Sequence, residues 1–236
     1  DWRLDVSGNY GYPYESKSGT YTGDVRGNPP ITDGLVGDAF SFDGSTQYID
    51  TQWRYVFGTG PAVFEVLYKA TSFDPSTKKY LLGLRQHAAS ANDSEISIGI
   101  NTTGDENGFL EYNMRTNQPA EQFEDYDPGN VFDGNYHYAV LRRQNSANPA
   151  RGYLDGSLVT EGSGSLSGDL LPDNCEDIHI AAIYDCDEGN RDGRFKGIID
   201  EVRISNVDRD ACWIETTYNS MSSATFITEG DEEPIF

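Results

Sequence analysis

The run Phe195-Lys196-Gly197-Ile198-Ile199-Asp200-Glu201-Val202-Arg203-Ile204 reads as a β-strand. Period-two alternation places Ile198, Asp200, Val202 and Ile204 on one face. Three of these four are β-branched and apolar, so that face is expected to pack on a core. Asp200 then points inward with them. An ionised carboxylate in such a place costs several kcal/mol unless it is paired, hydrogen-bonded or bound to a metal. Three readings follow. A cation meets Asp200, the alternation slips at a bulge, or the carboxylate accepts backbone N–H bonds at a strand end.

Outward from this run, almost every segment reads as strand and turn. Ala62–Lys69 alternates, with Phe64, Val66 and Tyr68 on one face and Glu65 and Lys69 on the other. Ala39–Phe42, Tyr80–Leu84, Glu95–Ile100, Gly108–Asn113 and Tyr136–Arg143 are further strands between Asn/Asp/Gly/Ser clusters. Gly152–Leu154 and Ser157–Val159 flank Asp155-Gly156, a pair suited to the positive φ angles of a type I′ hairpin. Glu121–Asp127 reads as loop beside Pro128-Gly129, and Tyr10–Pro30 as a long ordered loop. One short helix is expected after the last strand, capped by Asp208, with Ala211, Ile214 and Tyr218 on its apolar stripe. The fold class is therefore all-β, a two-sheet antiparallel β-sandwich with one short C-terminal helix. Residues 1–222 form the domain, and 223–236 read as an extended acidic tail or linker.

The 236 residues carry a net charge of −22. No basic patch is available to neutralise phosphates, which argues against nucleic acid as a partner. The same charge argues against anionic lipid. It suits a protein that binds divalent cations or works in high salt. No apolar run approaches the roughly 20 residues that span a bilayer, so no direct membrane insertion is expected. The chain starts at Asp1 rather than Met, which reads as a processed or excised piece of an exported protein.

Cys175, Cys186 and Cys212 fit no zinc spacing. If Asp177–Tyr184 pairs antiparallel with Arg194–Ser205, Cys175 falls near Cys212. A Cys175–Cys212 disulfide is then expected, with Cys186 left over; three free, buried cysteines are the alternative.

Three ordered segments resemble the laminin-G-like, concanavalin A-like jelly-roll superfamily found in bacterial and archaeal surface proteins. They are Asp5–Asn9 with Gly34–Gly44, then Asp133–Val140 running on to Tyr153–Gly156, and Phe195–Ile204 with the following helix and Tyr218-Asn219. Tyr136 stands where the family usually has Trp. The resemblance implies two packed antiparallel sheets and one structural Ca²⁺ tying the N-terminal loop to the final strand. Carried over, it nominates Asp200, with Asp43, Asp5 and Asn9 as partner ligands. Asp43 reads equally as a turn residue before Gly44.

A second, weaker calcium loop is Asp185-Cys186-Asp187-Glu188-Gly189-Asn190-Arg191-Asp192, with oxygen donors at Asp185, Asp187, Asn190 and Asp192. It lacks the closing acid of an EF-hand. Sugar faces stack on exposed rings, and Tyr12, Tyr14, Trp53 and Tyr55 are candidates for that role. No paired-carboxylate motif of a glycosidase and no nucleophile elbow is visible, so no catalytic residue is nominated. The expectation is a secreted or cell-surface, calcium-stabilised, non-catalytic module that binds a glycan or surface protein, or mediates adhesion. Its rivals are a self-assembling subunit of a surface layer, filament or virion appendage, which binds copies of itself, and a polysaccharide-active enzyme.

Overall fold

The computed structural model describes residues 2–3, 23–52, 57–70, 77–86, 94–101, 108–118, 121–127, 129, 131–170, 177–185 and 189–223. In chain order its strands begin with β1 (Trp2–Arg3), β2 (Asp24–Arg26), β3 (Ile31–Asp33), β4 (Asp38–Asp43), β5 (Tyr48–Asp50) and β6 (Ala62–Ala70). Next come β7 (Lys79–Gln86), β8 (Ser94–Ile100), β9 (Leu110–Arg115), β10 (Gln122–Asp127), β11 (His137–Arg143) and β12 (Ala150–Leu154). The last are β13 (Ser157–Glu161), β14 (His179–Ile180), β15 (Ile183–Asp185), β16 (Asn190–Asp192) and β17 (Lys196–Ser205), before helix α1 (Ala211–Ser222).

Among the described residues these strands form two sheets. The eight-stranded sheet runs β13-β12-β11-β6-β17-β4-β3, with β1 added along β17. The nine-stranded sheet runs β10-β9-β8-β7-β14-β5-β2, with β15 and β16 attached beside β7. Their inner faces meet in one core, where Phe64, Val66 and Tyr68 of β6 pack with Ile96, Ile98 and Ile100 of β8. Alternation on these strands sets the sandwich, as β-branched and aromatic residues bury one pleated face. A second, smaller core of Val63, Leu67, Tyr138, Val140, Tyr153 and Ile214 lies on the outer face of the eight-stranded sheet. Helix α1 supplies Ile214 to it, so that face is covered rather than open.

The expected strands and the Asp155-Gly156 turn are present, with φ of 51° and 80° at the two turn residues. Several expectations are corrected. Glu121–Asp127 is largely edge strand β10; an edge strand tolerates its charges because one side faces no partner. A short strand, β2, interrupts Tyr10–Pro30. Asp210, not Asp208, caps α1, accepting from Trp213 N at 2.8 Å. Asp208 is instead paired with Arg142 at 2.9 Å. The Asp177–Tyr184 and Arg194–Ser205 segments do not form a hairpin. The first lies in the nine-stranded sheet against β7 and β5, and β17 lies in the other sheet between β6 and β4. The reason given for a Cys175–Cys212 disulfide is thereby removed. Cys212 carries a free, exposed thiol, and Cys175 and Cys186 lie outside the described residues.

His137 fastens two turns together. Its Nδ1 lies 2.9 Å from Asp155 and its Nε2 3.1 Å from Asp133. The Asp155 bond, outweighing burial, raises its pKa above the usual 6.5. A raised folded pKa adds stability below about pH 6.5, and that stability is lost as pH rises through the folded value. We expect the unfolding midpoint of His137→Gln to depend less on pH between 6 and 8 than that of wild type. Parallel curves over that range would show that the imidazolium is not favoured by the fold.

Candidate functional site

Two places carry polar chemistry that the fold does not need. The first surrounds Asp200. The alternation of β17 slips, because Ile199 pairs with Tyr68 and Val202 with Val66, leaving one extra residue between them. This β-bulge sends Ile199, Val202 and Ile204 to the core and leaves Ile198 outside it. Asp200 is thus on the outer side, under the Gly34–Val36 turn, and not in the apolar core that strict alternation predicted. Its Oδ2 accepts from Leu35 N at 2.6 Å and Val36 N at 2.9 Å. Residue 34 must be glycine, since a Cβ there would lie 2.6 Å from that same oxygen. The other oxygen, Oδ1, is buried without a hydrogen-bond partner. Burial pushes the carboxyl up to about 6, against the two backbone bonds.

An orphaned, buried carboxylate oxygen suits a cation. Strand β1 also runs along β17, with Arg3 opposite Arg203. The N-terminal residues therefore reach the strand that carries Asp200. The expected partners Asp5 and Asn9 lie outside the described residues. Asp43 is not brought to Asp200: it stands opposite Lys196, four residues along β17. Its carboxylate closes its own turn, accepting from Ser45 N at 2.7 Å and Thr46 N at 3.0 Å. Burial is outweighed by these bonds, which hold the group well below the usual carboxylate range. Among the described residues no three acidic, His or Cys side chains gather as a metal site.

In the weaker loop, Asp185 is buried and receives Arg85 through Nε at 3.1 Å and Nη2 at 2.8 Å. Its charge is already met. Asn190 and Asp192 are exposed on β16, and Asp187 lies outside the described residues. Tyr12, Tyr14, Trp53 and Tyr55 also lie outside them.

The second place is the outer face of the nine-stranded sheet. A line of register partners crosses it: Asp50, His179, Gly83, Ser97, Asn113 and Glu124. A parallel line carries Tyr80, Gly99, Glu111 and Tyr126. Their chain neighbours, such as Ile96, Ile98, Tyr112 and Met114, turn into the core, so these side chains turn away from it. His179, Ser97, Asn113 and Glu111 are nonetheless buried.

Several polar atoms on this face lack hydrogen-bond partners, namely Asn113 Oδ1, Glu111 Oε2 and both ring nitrogens of His179. Leaving one such group unpaired costs about 1–3 kcal/mol, so a row of them calls for a ligand or water. Lys78 pairs with the other oxygen of Glu111 and lies 5.4 Å from the Tyr80 ring centroid. Burial outweighs Lys78 and raises the Glu111 carboxyl to about 7. A ring flanks the row at its other end, where Tyr48 lies 5.3 Å from His179. Amide, imidazole and carboxyl groups between aromatic faces can take up hydroxyls and stack on C–H surfaces.

Neither a protein-family model nor a curated protein matches the chain. Solved structures do. The binding domain of Paraclostridial mosquitocidal protein 1 matches with a TM-score of 0.68 at 12% identity, covering 93% of this chain and 51% of that one. The binding domain of botulinum neurotoxin serotype G matches at 0.68 and 13%, covering 94% and 51%. The likeness is one of fold. Domain 4 of a GH43 extracellular arabinanase from Geobacillus stearothermophilus, solved in complex with arabinotriose, matches at 0.62 and 15%. There 91% of this chain and 95% of the other are covered. The chain thus spans about half the length of the toxin domains it matches. Two of the three are binding domains, and the third is a domain solved with a sugar. The laminin-G-like resemblance holds at the level of the sandwich, and no family match narrows it further.

The outer row was missed from sequence, although a signal existed. Ser94–Ile100 and Leu110–Arg115 each alternate strictly, and their polar sets hold Ser97 and Asn113 mid-strand. Small polar residues at strand centres, where a solvated face usually carries long charged ones, were the mark.

Proposed function

We propose that this chain is a non-catalytic carbohydrate-binding module of a secreted or cell-surface protein. The observation that carries the reading is the row of unpartnered buried polar groups on the outer face of the nine-stranded sheet, bordered by tyrosines. The solved domains of the same fold include one in complex with arabinotriose and others from toxins that bind receptors or gangliosides. No helix among the described residues is long and apolar enough to cross a membrane. Asp200 is the residue to hold a structural Ca²⁺, which supplies charge for its orphaned oxygen and ties the N-terminal strand to β17.

Calorimetric titration with arabinotriose, galactotriose and mannotriose tests the reading. We expect one of them to bind in the micromolar to millimolar range. Asn113→Ala should weaken it by about 1–2 kcal/mol, the worth of a lost hydrogen bond in a polar site. Shortened products in the same cell would contradict the non-catalytic part.

One observation favours self-assembly as a second reading. Edge strand β13 exposes Leu158 and Val159, and its single charge, Glu161, is met by Arg151 at 2.8 Å. An uncharged edge in so acidic a chain suits strand pairing with a copy. A concentration-independent monomer mass would exclude it.

A further inference from the structure

Among the described residues, one cation on the outer face of the nine-stranded sheet, Arg194, meets no carboxylate. Acidic residues outnumber basic ones 39 to 17 in this chain, so a guanidinium without a carboxylate is unusual. Arg85, Arg142 and Arg151 each meet one, Asp185, Asp208 and Glu161. Arg194 does not. Its Nη1 is buried and has no hydrogen-bond partner among the described residues. What it has is a ring: its Cζ lies 4.7 Å from the centroid of Tyr48.

His179 stands against the same ring. It is fully buried, and neither nitrogen has a hydrogen-bond partner. Asp50, the nearest carboxylate, lies 3.8 Å from Nε2, beyond hydrogen-bond length. Burial, helped by Arg191 and Arg194 against Asp50 and the Asp177 backbone, lowers its pKa to about 4, so the ring is neutral. Tyr48 is half-buried.

We propose that Tyr48, His179 and Arg194 form a subsite for the carboxylate of an acidic sugar. This rests on the carbohydrate-binding reading and narrows its ligand. A planar guanidinium fork matches a carboxylate in two parallel bonds, and the Tyr48 ring pre-orders the fork by stacking. His179, fully buried, backs the Tyr48 ring and holds it in place. The sugar ring then extends toward Asn113, where a hydroxyl meets the orphaned Oδ1. The net charge of −22 does not forbid an anion here. Carboxylates beyond about 8 Å are screened at physiological salt, and the cluster itself sets two arginines, Arg191 and Arg194, against Asp50.

The test is a calorimetric titration of the full chain with two acidic probes and their neutral counterparts. One arm sets galacturonate trimer against galactotriose, and the other sets sialyllactose against lactose. In at least one arm the acidic probe should bind about 10-fold more tightly, and that arm separates a uronate from a sialate source. Raising salt should narrow the gap. Arg194→Gln should abolish the preference. Arg194→Lys, which keeps the charge but not the fork, should lose most of it. Equal binding of acidic and neutral probes by wild type overturns the subsite but leaves the carbohydrate reading standing. A preference that survives in Arg194→Gln also overturns it. Binding of no sugar in either arm overturns both.

Discussion

Replacing Arg143 with alanine should lower the unfolding midpoint by roughly 10 °C, the largest effect expected of a single substitution in this fold. Arg143 closes β11 and is fully buried. It meets no carboxylate at hydrogen-bond distance. Its Nη1 donates to Gly168 O at 2.9 Å, and its Nη2 and Nε donate to Gly60 O at 2.8 and 3.2 Å. Nη2 also donates to Gly58 O. One side chain thus fastens the turn before β6 to the segment around Gly168. Burial of this charge pulls its pKa down to about 10, so at neutral pH the cation persists and its bonds are charge-assisted.

Truncation leaves the carbonyls of Gly60 and Gly168 without this donor and opens a void. Each orphaned carbonyl costs about 1–3 kcal/mol, and the whole about 3–5 kcal/mol. Domains of this size shift by about 2–4 °C per kcal/mol. Arg143→Lys should recover only part, since one ammonium cannot reach three carbonyls set around a planar fork. A midpoint within 3 °C of wild type for Arg143→Ala would show that the two segments hold without the clamp.

Asp200 gives the second large effect, and its sign depends on calcium. Without metal, its carboxyl titrates near 6 in the fold against an ordinary 3.8. A carboxylate raised in this way stabilises the fold below about pH 4 and loses that contribution as pH rises through 6. About two units correspond to roughly 3 kcal/mol, as an order of magnitude. In chelator at pH 7, Asp200→Asn should therefore be at least as stable as wild type. The amide oxygen still accepts from Leu35 and Val36, and no buried charge remains.

Calcium should reverse the order. A ligand bound only by the native state adds about 2.7 kcal/mol at 100 times its Kd, a rise of roughly 5–10 °C for wild type and none for Asp200→Asn. Because the metal needs the ionised group, its effect should fade as pH drops below 6. Equal midpoints of wild type with calcium and with chelator would remove the metal from the account. The orphaned Oδ1 would then be met by water.

Much of the sandwich was legible because its strands alternate locally. Phe64, Val66 and Tyr68 fell on the predicted face, and Asp155-Gly156 formed the predicted turn. What was not legible depended on partners distant in sequence. The bulge at Asp200 was one of the readings left open; it arises because two intervals of β6 face three of β17, and β17 alone does not decide for it. Asp177–Tyr184 has the composition to pair with either sheet, and the choice is made by β7 and β5. Asp208 and Asp210 are equally good caps by type; Arg142 takes the first and leaves the second. The need of Asp200 for a partner was legible, and its two backbone donors were one of the readings left open. The outer row required knowing that Gly83, Ser97 and Asn113 share one register line, a fact of sheet order rather than of any single strand.

The central claim is that the outer face of the nine-stranded sheet holds a sugar. The most direct measurement is amide shift mapping on the nitrogen-15-labelled chain, titrated with whichever of the oligosaccharides above binds most tightly. Saturable shifts are expected at Asp50, Gly83, Ser97 and Asn113, with the eight-stranded sheet and helix α1 undisturbed. Shifts confined to that other sheet, or none with any of the sugars at millimolar concentration, would contradict it.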